Sequence, residues 1–125
     1  MATEPLDLND IADEPGAEQP WAGLDSATRI GHVHLHVPDL TEAEQRYCGQ
    51  IGFTPMLRRY PGALFVAAGG YHHHLGLNVW AGRGAPPPAD DAVGLRRFTI
   101  EASTLASAVV HDPTTRVAIA FAPAG

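Results

Sequence analysis

Six of the seven histidines fall in two short runs. His32, His34 and His36 alternate with apolar residues in Ile-Gly-His-Val-His-Leu-His-Val, residues 30–37. His72, His73 and His74 stand together in Gly-Gly-Tyr-His-His-His-Leu-Gly-Leu-Asn-Val-Trp, residues 69–80. Imidazole is both a common metal ligand and an acid or base near neutral pH. On a strand, period two puts His32, His34 and His36 on one face. The same rule puts His72 and His74 on one face with Gly76 and Asn78, and turns His73 to the opposite face in a structural role. His34 then lies about 6.6 Å along the strand from His32, and His72 the same distance from His74. Three or four imidazoles favour Zn(II), Ni(II) or Cu(II), whereas an Fe(II) oxygenase site takes two histidines and a carboxylate. Three histidines at period two equally fit a polar, partly wet sheet face that holds no metal. Asn78 shares the site face and could orient a substrate. Tyr60 and Trp80 fit the core or rim as well as a substrate wall. Cys48 has no second cysteine and reads as a small buried hydrophobe.

Elements must place these residues. Residues 29–37 alternate as a strand, which Pro38 ends. Asp39 and Glu42 form a capping-box pair, so residues 41–50 read as a helix with Ala43, Tyr47 and Ile51 facing inward. Strands are predicted at 53–60, 63–68 and 71–80, with Pro61-Gly62 and Gly69-Gly70 as turns. Residues 29–80 thus make one β-α-β-β-β unit. Residues 81–93, with three consecutive prolines, read as a stiff linker. A second unit over 94–121 has strands at 95–101, 106–111 and 116–121, with Arg97, Thr99 and Glu101 on one face. Only residues 102–105 separate the first two of these strands, too few for a helical crossover. The second unit therefore looks like the first with its helix, and a strand, missing. His111 and the Asp-Pro-Thr-Thr after it belong to a turn.

Composition bounds the class. The chain has 125 residues, 45% apolar and 18% charged, which suits one globular domain. Net charge of −6 argues against a nucleic-acid partner, which needs clustered Lys and Arg. No apolar run approaches the roughly 18 residues of a membrane helix, so no membrane partner is expected. The acidic start has no basic, then apolar, signal-peptide pattern, and a cytoplasmic location is expected. Residues 1–28 carry seven acids and no base, with three prolines. Such a segment buries too little to fold alone and is expected to be a mobile acidic arm. Leu6, Leu8, Ile11 and Trp21 are the residues that could dock it.

The strand around His32, the Pro-Asp-Leu helix start, the Gly-Phe strand and the tract from Gly69 to Trp80 resemble the vicinal oxygen chelate superfamily. That superfamily includes glyoxalases, extradiol dioxygenases and bleomycin-resistance proteins, and the likeness is greatest to bacterial catechol-2,3-dioxygenase-like proteins. The resemblance covers residues 29–100 well and 108–121 loosely. It implies an α+β fold, one complete unit plus a truncated second one forming a cupped mixed sheet. It also implies one divalent metal (Fe, Zn, Mn or Ni), with ligands from the first and fourth strands of each unit. By position His32 and His74 match the first unit's metal ligands. The second unit's ligand positions fall on Arg97 and near Ala118, neither a metal ligand. Glu101 lies about 13 Å along the strand from Arg97 and would serve only if the strand were shifted.

Two functions follow. One is an enzyme, dioxygenase-like or glyoxalase/lyase-like, with a metal on His32 and His74. In it His34, His72 and Arg97 take catalytic roles, and Tyr60, Asn78, Trp80 and Arg97 contact a vicinal-oxygen or aromatic substrate. The other is a metal-free binding protein in which Arg97 holds an anionic small molecule. A homodimer is expected. The shortened second unit should leave an apolar face, built from Leu95, Phe98, Ile100, Val109 and Val117, for a partner to cover.

Overall fold

A computed structural model describes residues 5–103 and 106–124. The first unit contains β1 (Val33–His36), α2 (Leu40–Glu44), β2 (Thr54–Leu57), β3 (Ala63–Ala67) and β4 (Leu75–Asn78). The second contains β5 (Arg97–Glu101), β6 (Ala108–His111) and β7 (Ala118–Ala122). A short helix, α1 (Leu8–Ala12), precedes both. No helix among the described residues is long and apolar enough to cross a membrane.

The expected α+β architecture is present, with its strands divided between two mixed sheets. The first has the order β1-β4-β3-β2 and the second β5-β7-β6. In each, the unit's first and last strands pair in parallel and the remaining pairs are antiparallel. The second sheet thus repeats three of the first sheet's four positions. Among the described residues, counterparts of α2 and β2 are absent from the second unit.

Local chemistry starts and stops these elements. Asp39 caps α2, its Oδ1 accepting hydrogen bonds from the Thr41 and Glu42 amides at 2.8 and 2.9 Å. The helix then widens into a π-helical segment over Gln45–Gln50, so the predicted single helix is two kinds of turn in succession. Gly69 and Gly70 sit at φ of 64° and 76°, in the left-handed region that the β3–β4 turn requires.

One core serves both units. Leu35, Leu64, Val66, Leu75 and Leu77 from the first sheet pack with Ala43 and Tyr47 and with Val117 and Ile119 of the second unit. Phe98 and Ile100 lie against the same cluster. The apolar face expected to stand open is therefore mostly covered by the chain's own first unit. Of its five residues, only Leu95 and Val109 are exposed, at 48% and 52%.

A polar clamp closes this joint. Asp112 is 1% exposed, and its Oδ2 accepts from the Tyr47 hydroxyl at 2.6 Å. Its Oδ1 accepts from the Thr114 amide and hydroxyl at 2.8 and 2.7 Å, with Arg46 Nε 3.7 Å away. Burial, the largest single influence on this carboxyl, would raise its pKa. The hydrogen bonds from Tyr47 and Thr114 and the charge of Arg46 outweigh it and hold the group below its usual range.

The arm makes no such joint. α1 buries none of its residues, and Trp21 is 78% exposed, so it is not an anchor on the domain. The Asp7 cap, whose side chain accepts from the Asn9 and Asp10 amides, is the sequence signal for this unexpected helix.

Candidate functional site

Sheet register builds the site. His34 pairs with Gly76, Gly76 with Phe65, and Phe65 with Leu57, so these residues form one row across the first sheet. The His34 ring lies over Gly76. A Cβ placed on that glycine would meet the ring at 2.7–2.8 Å. Beside it, His36 pairs with Asn78 and Asn78 with Ala63.

His73 occupies the middle of this face. Its ring centroid is 4.5 Å from that of His32, 4.6 Å from His72, 4.9 Å from Phe65 and 5.6 Å from His34. It is 5% exposed, and neither ring nitrogen has a hydrogen-bond partner. Burial pushes its pKa down to about 4, helped by the neighbouring His32, His72, His34 and His74. His34 is lowered too, by burial first and then by His32. One ligand nitrogen from each of His32, His72 and His73 falls within 4.8 Å of the others.

This changes the expected pairing. Alternation put His74 on the site face and turned His73 away, and the resemblance paired His74 with His32. The chain instead bends at His72 and at His74, and regular β4 begins only at Leu75. His74 is held at the hairpin, its Nδ1 accepting from the Ala68 amide at 3.2 Å. Its ring lies against Tyr71 and Phe53, at 4.7 and 6.5 Å. The two bends free His73 to face His32. The glycine pair before the run was the sequence signal that a strict period of two need not hold there.

An aromatic wall flanks the histidines. Trp80 stands 6.5 Å from His34 and 6.2 Å from Tyr60, and Tyr60 stands 5.7 Å from Phe65. The Trp80 indole N–H donates to the Pro61 carbonyl at 3.1 Å, which fixes the ring although it is 54% exposed. Asn78 is buried and its Oδ1 accepts from the Trp80 amide at 3.3 Å, so it positions the wall.

Among the described residues, the second unit adds no side chain to this histidine grouping. Arg97 and Ala118, the positions expected to replace the missing ligands, are direct register partners. The β5–β7 pairing runs without interruption from Arg97 to Glu101, so no strand shift delivers Glu101. Arg97 is exposed at the start of β5. His111 is exposed at the last position of β6. A cleft of about 540 Å³ lies elsewhere, between α2 and β3. It contains Cys48, whose thiol is pushed up by burial and by Glu44, and the Glu44–Arg58 ion pair, and no histidine lines it.

Comparison with known proteins bears on the whole arrangement. No protein-family model matches the chain. It is 48% identical over 102 residues to a catechol-2,3-dioxygenase of Bacillus subtilis (strain 168), a match covering 80% of this chain. The chain spans about a third of that relative, 35% of its length. It is also similar in structure to lactoylglutathione lyase from Agrobacterium tumefaciens, with a TM-score of 0.52 and 18% identity. That likeness covers 78% of this chain and 96% of the lyase. The two likenesses together support the vicinal oxygen chelate superfamily.

The donor set here differs from the His32 and His74 pair that the resemblance implies. The grouping among the described residues that could hold a metal ion is all imidazole, with no carboxylate in it. Three imidazoles, one of them buried with both ring nitrogens unpartnered, suit a divalent ion of borderline softness. The residues therefore fit a metal, though not the two-histidine, one-carboxylate pattern.

Proposed function

We propose that this chain is a small-molecule enzyme unit of the vicinal oxygen chelate type, dioxygenase-like or glyoxalase/lyase-like, acting in the cytoplasm on a vicinal-oxygen or aromatic compound. One observation carries the reading. A single sheet face gathers His32, His34 and His73 beside Trp80, Tyr60 and Phe65, so basic nitrogens and a flat apolar wall meet at one place. The name of the Bacillus relative, a catechol-2,3-dioxygenase, points to the same class of substrate.

A divalent metal bound to the histidines would polarise adjacent substrate oxygens as a Lewis acid. The chain's own groups do the rest. Trp80 and Tyr60 hold the planar part of the substrate. His34, with its depressed pKa, is neutral at pH 7 and accepts a proton from a substrate hydroxyl. Gly76 leaves room for that imidazole.

A second reading is metal-free binding without turnover. It is favoured by Arg97, a guanidinium exposed where a ligand was expected and able to take a carboxylate. A homodimer goes with either reading. The outer edge of β6 has no strand where the first sheet carries β2, and Val109 is exposed on it.

Titrating catechol into a Trp21→Phe variant tests the site, since Trp80 is then the remaining tryptophan. Quenching of its fluorescence that is lost in His34→Ala, together with ring-opened product by ultraviolet absorbance, supports the enzyme. Quenching with no product under any divalent metal selects the binding protein. No quenching in any condition overturns both.

A further inference from the structure

We propose that His32, His72 and His73 form an all-imidazole site that selects zinc, nickel or cobalt over ferrous or manganous ions. The proposal deepens the reading above and differs from the ligand set the family resemblance implies, since it replaces His74 and dispenses with a carboxylate.

Three observations carry it. One nitrogen from each of the three side chains falls within 4.8 Å of the others, close enough for small ring adjustments to bring them onto one ion. His73 is 95% buried, with neither nitrogen hydrogen-bonded. A buried polar group with no partner costs on the order of 1–3 kcal/mol, which a protein retains where a ligand repays it. His74, in contrast, has its Nδ1 satisfied by the Ala68 amide and its ring laid against Tyr71. It is built into the hairpin.

Ligand chemistry then sets the preference. Imidazole suits zinc, copper, nickel and iron, but the general affinity order of divalent ions puts manganous and ferrous ions lowest, manganese prefers oxygen donors, and mononuclear ferrous oxygenase sites add a carboxylate that is missing from this grouping. No Asp or Glu belongs to this grouping among the described residues. Two of the three rings, His32 and His72, are exposed, so an ion can enter from solvent and reach His73 last.

The test uses the untagged full chain and metal ions alone. Calorimetric titration with Zn(II) should give one equivalent, and Co(II) should give a visible d–d spectrum that Zn(II) abolishes. Fe(II), added without oxygen, and Mn(II) should bind at least about 100-fold more weakly. His73→Phe should weaken Zn(II) binding by about 100-fold or more, while the metal-free melting temperature stays level or rises, because the orphaned nitrogens are gone. His72→Gln, at an exposed position, should weaken binding by at least about tenfold. His74→Gln should leave it within about twofold. Loss of binding in His74→Gln with retention in His73→Phe would move the centre to the His32 and His74 pair that the resemblance implies and overturn the proposal. So would Fe(II) binding as tight as Zn(II), or no saturable Zn(II) binding above the His73→Phe level. Catechol quenching of Trp80 in metal-free protein would survive any of these failures, which separates them from failure of the broader reading.

Discussion

The two β units share one strand plan and divide the labour. Each pairs its first strand in parallel with its last and sets the preceding strand antiparallel to that last one. The first unit keeps a helix, a fourth strand and a histidine-rich face. The second keeps three strands and puts Arg97 and Ala118 where the first has His32 and its neighbours. The second unit lost the helix that should cover its apolar side, and the first unit's core covers it instead, through Phe98, Ile100, Val117 and Ile119. A half-sized repeat can persist when its full-sized neighbour lends it a core, and Asp112 is the polar tie that makes the loan specific.

The largest effect is expected from cutting that tie. Asp112→Ala strands the Tyr47 hydroxyl and frees the β6–β7 turn, and should cost about 3 kcal/mol in urea denaturation. Amide exchange should rise in β5–β7 before β1–β4. Equal acceleration in both sheets would show that the units do not separate energetically. Next is Gly76→Ala, confined to the first unit. The new methyl group must displace the His34 ring and should cost about 1–2 kcal/mol. Catechol quenching of Trp80 should fall with it, and unchanged binding would show that His34 is not needed where the structure puts it.

Acid should act through the joint. The folded Asp112 carboxyl is held below its usual range, so the unfolded chain takes up its proton first as pH falls. Stability that is full above the ordinary carboxylate range is lost through and below it. Asp112→Asn should give a lower but flatter acid limb in melting temperature against pH. A smaller effect is expected from the open edge. Val109→Lys places charge on β6 and should shift a dimer to monomer in light scattering, with little change in melting temperature. A wild-type mass of 13.3 kDa removes the dimer. Least of all should come from the arm. Deleting residues 1–26 should change stability by no more than about 0.5 kcal/mol, because α1 buries none of its residues and Trp21 stays exposed.

Much of the fold was legible because its signals are local. Pro38 and Asp39 mark the turn from β1 into α2, and Gly69-Gly70 marks the β3–β4 turn. All seven observed strands fall within, or one residue beyond, the segments that alternation marks. The shortened second unit was legible from the few residues between its first two strands. What escaped depends on contacts distant in sequence. Tyr47 read correctly as an inward helix residue, yet nothing near it announces Asp112, 65 positions away, as its partner. The coverage of Phe98 and Ile100 is likewise a long-range fact. At the site, His32 and His34 share the expected face because β1 is regular. His73 and His74 exchange roles because two bends and the Ala68 amide override a two-residue period. A run of three identical residues offers no pattern from which to choose between them.

The order of strands has a consequence for how the molecule assembles. In both sheets the last strand made is an interior one: β4 lies between β1 and β3, and β7 between β5 and β6. During synthesis β5 and β6 emerge with no partner in their own sheet, and neither can pair until residues 118–122 are out. The first sheet needs only residues up to Asn78, so the histidine-bearing half can form while the other half is still being made. Each unit closes like an arch on its keystone, and the second closes late because its keystone, β7, is the last strand to emerge.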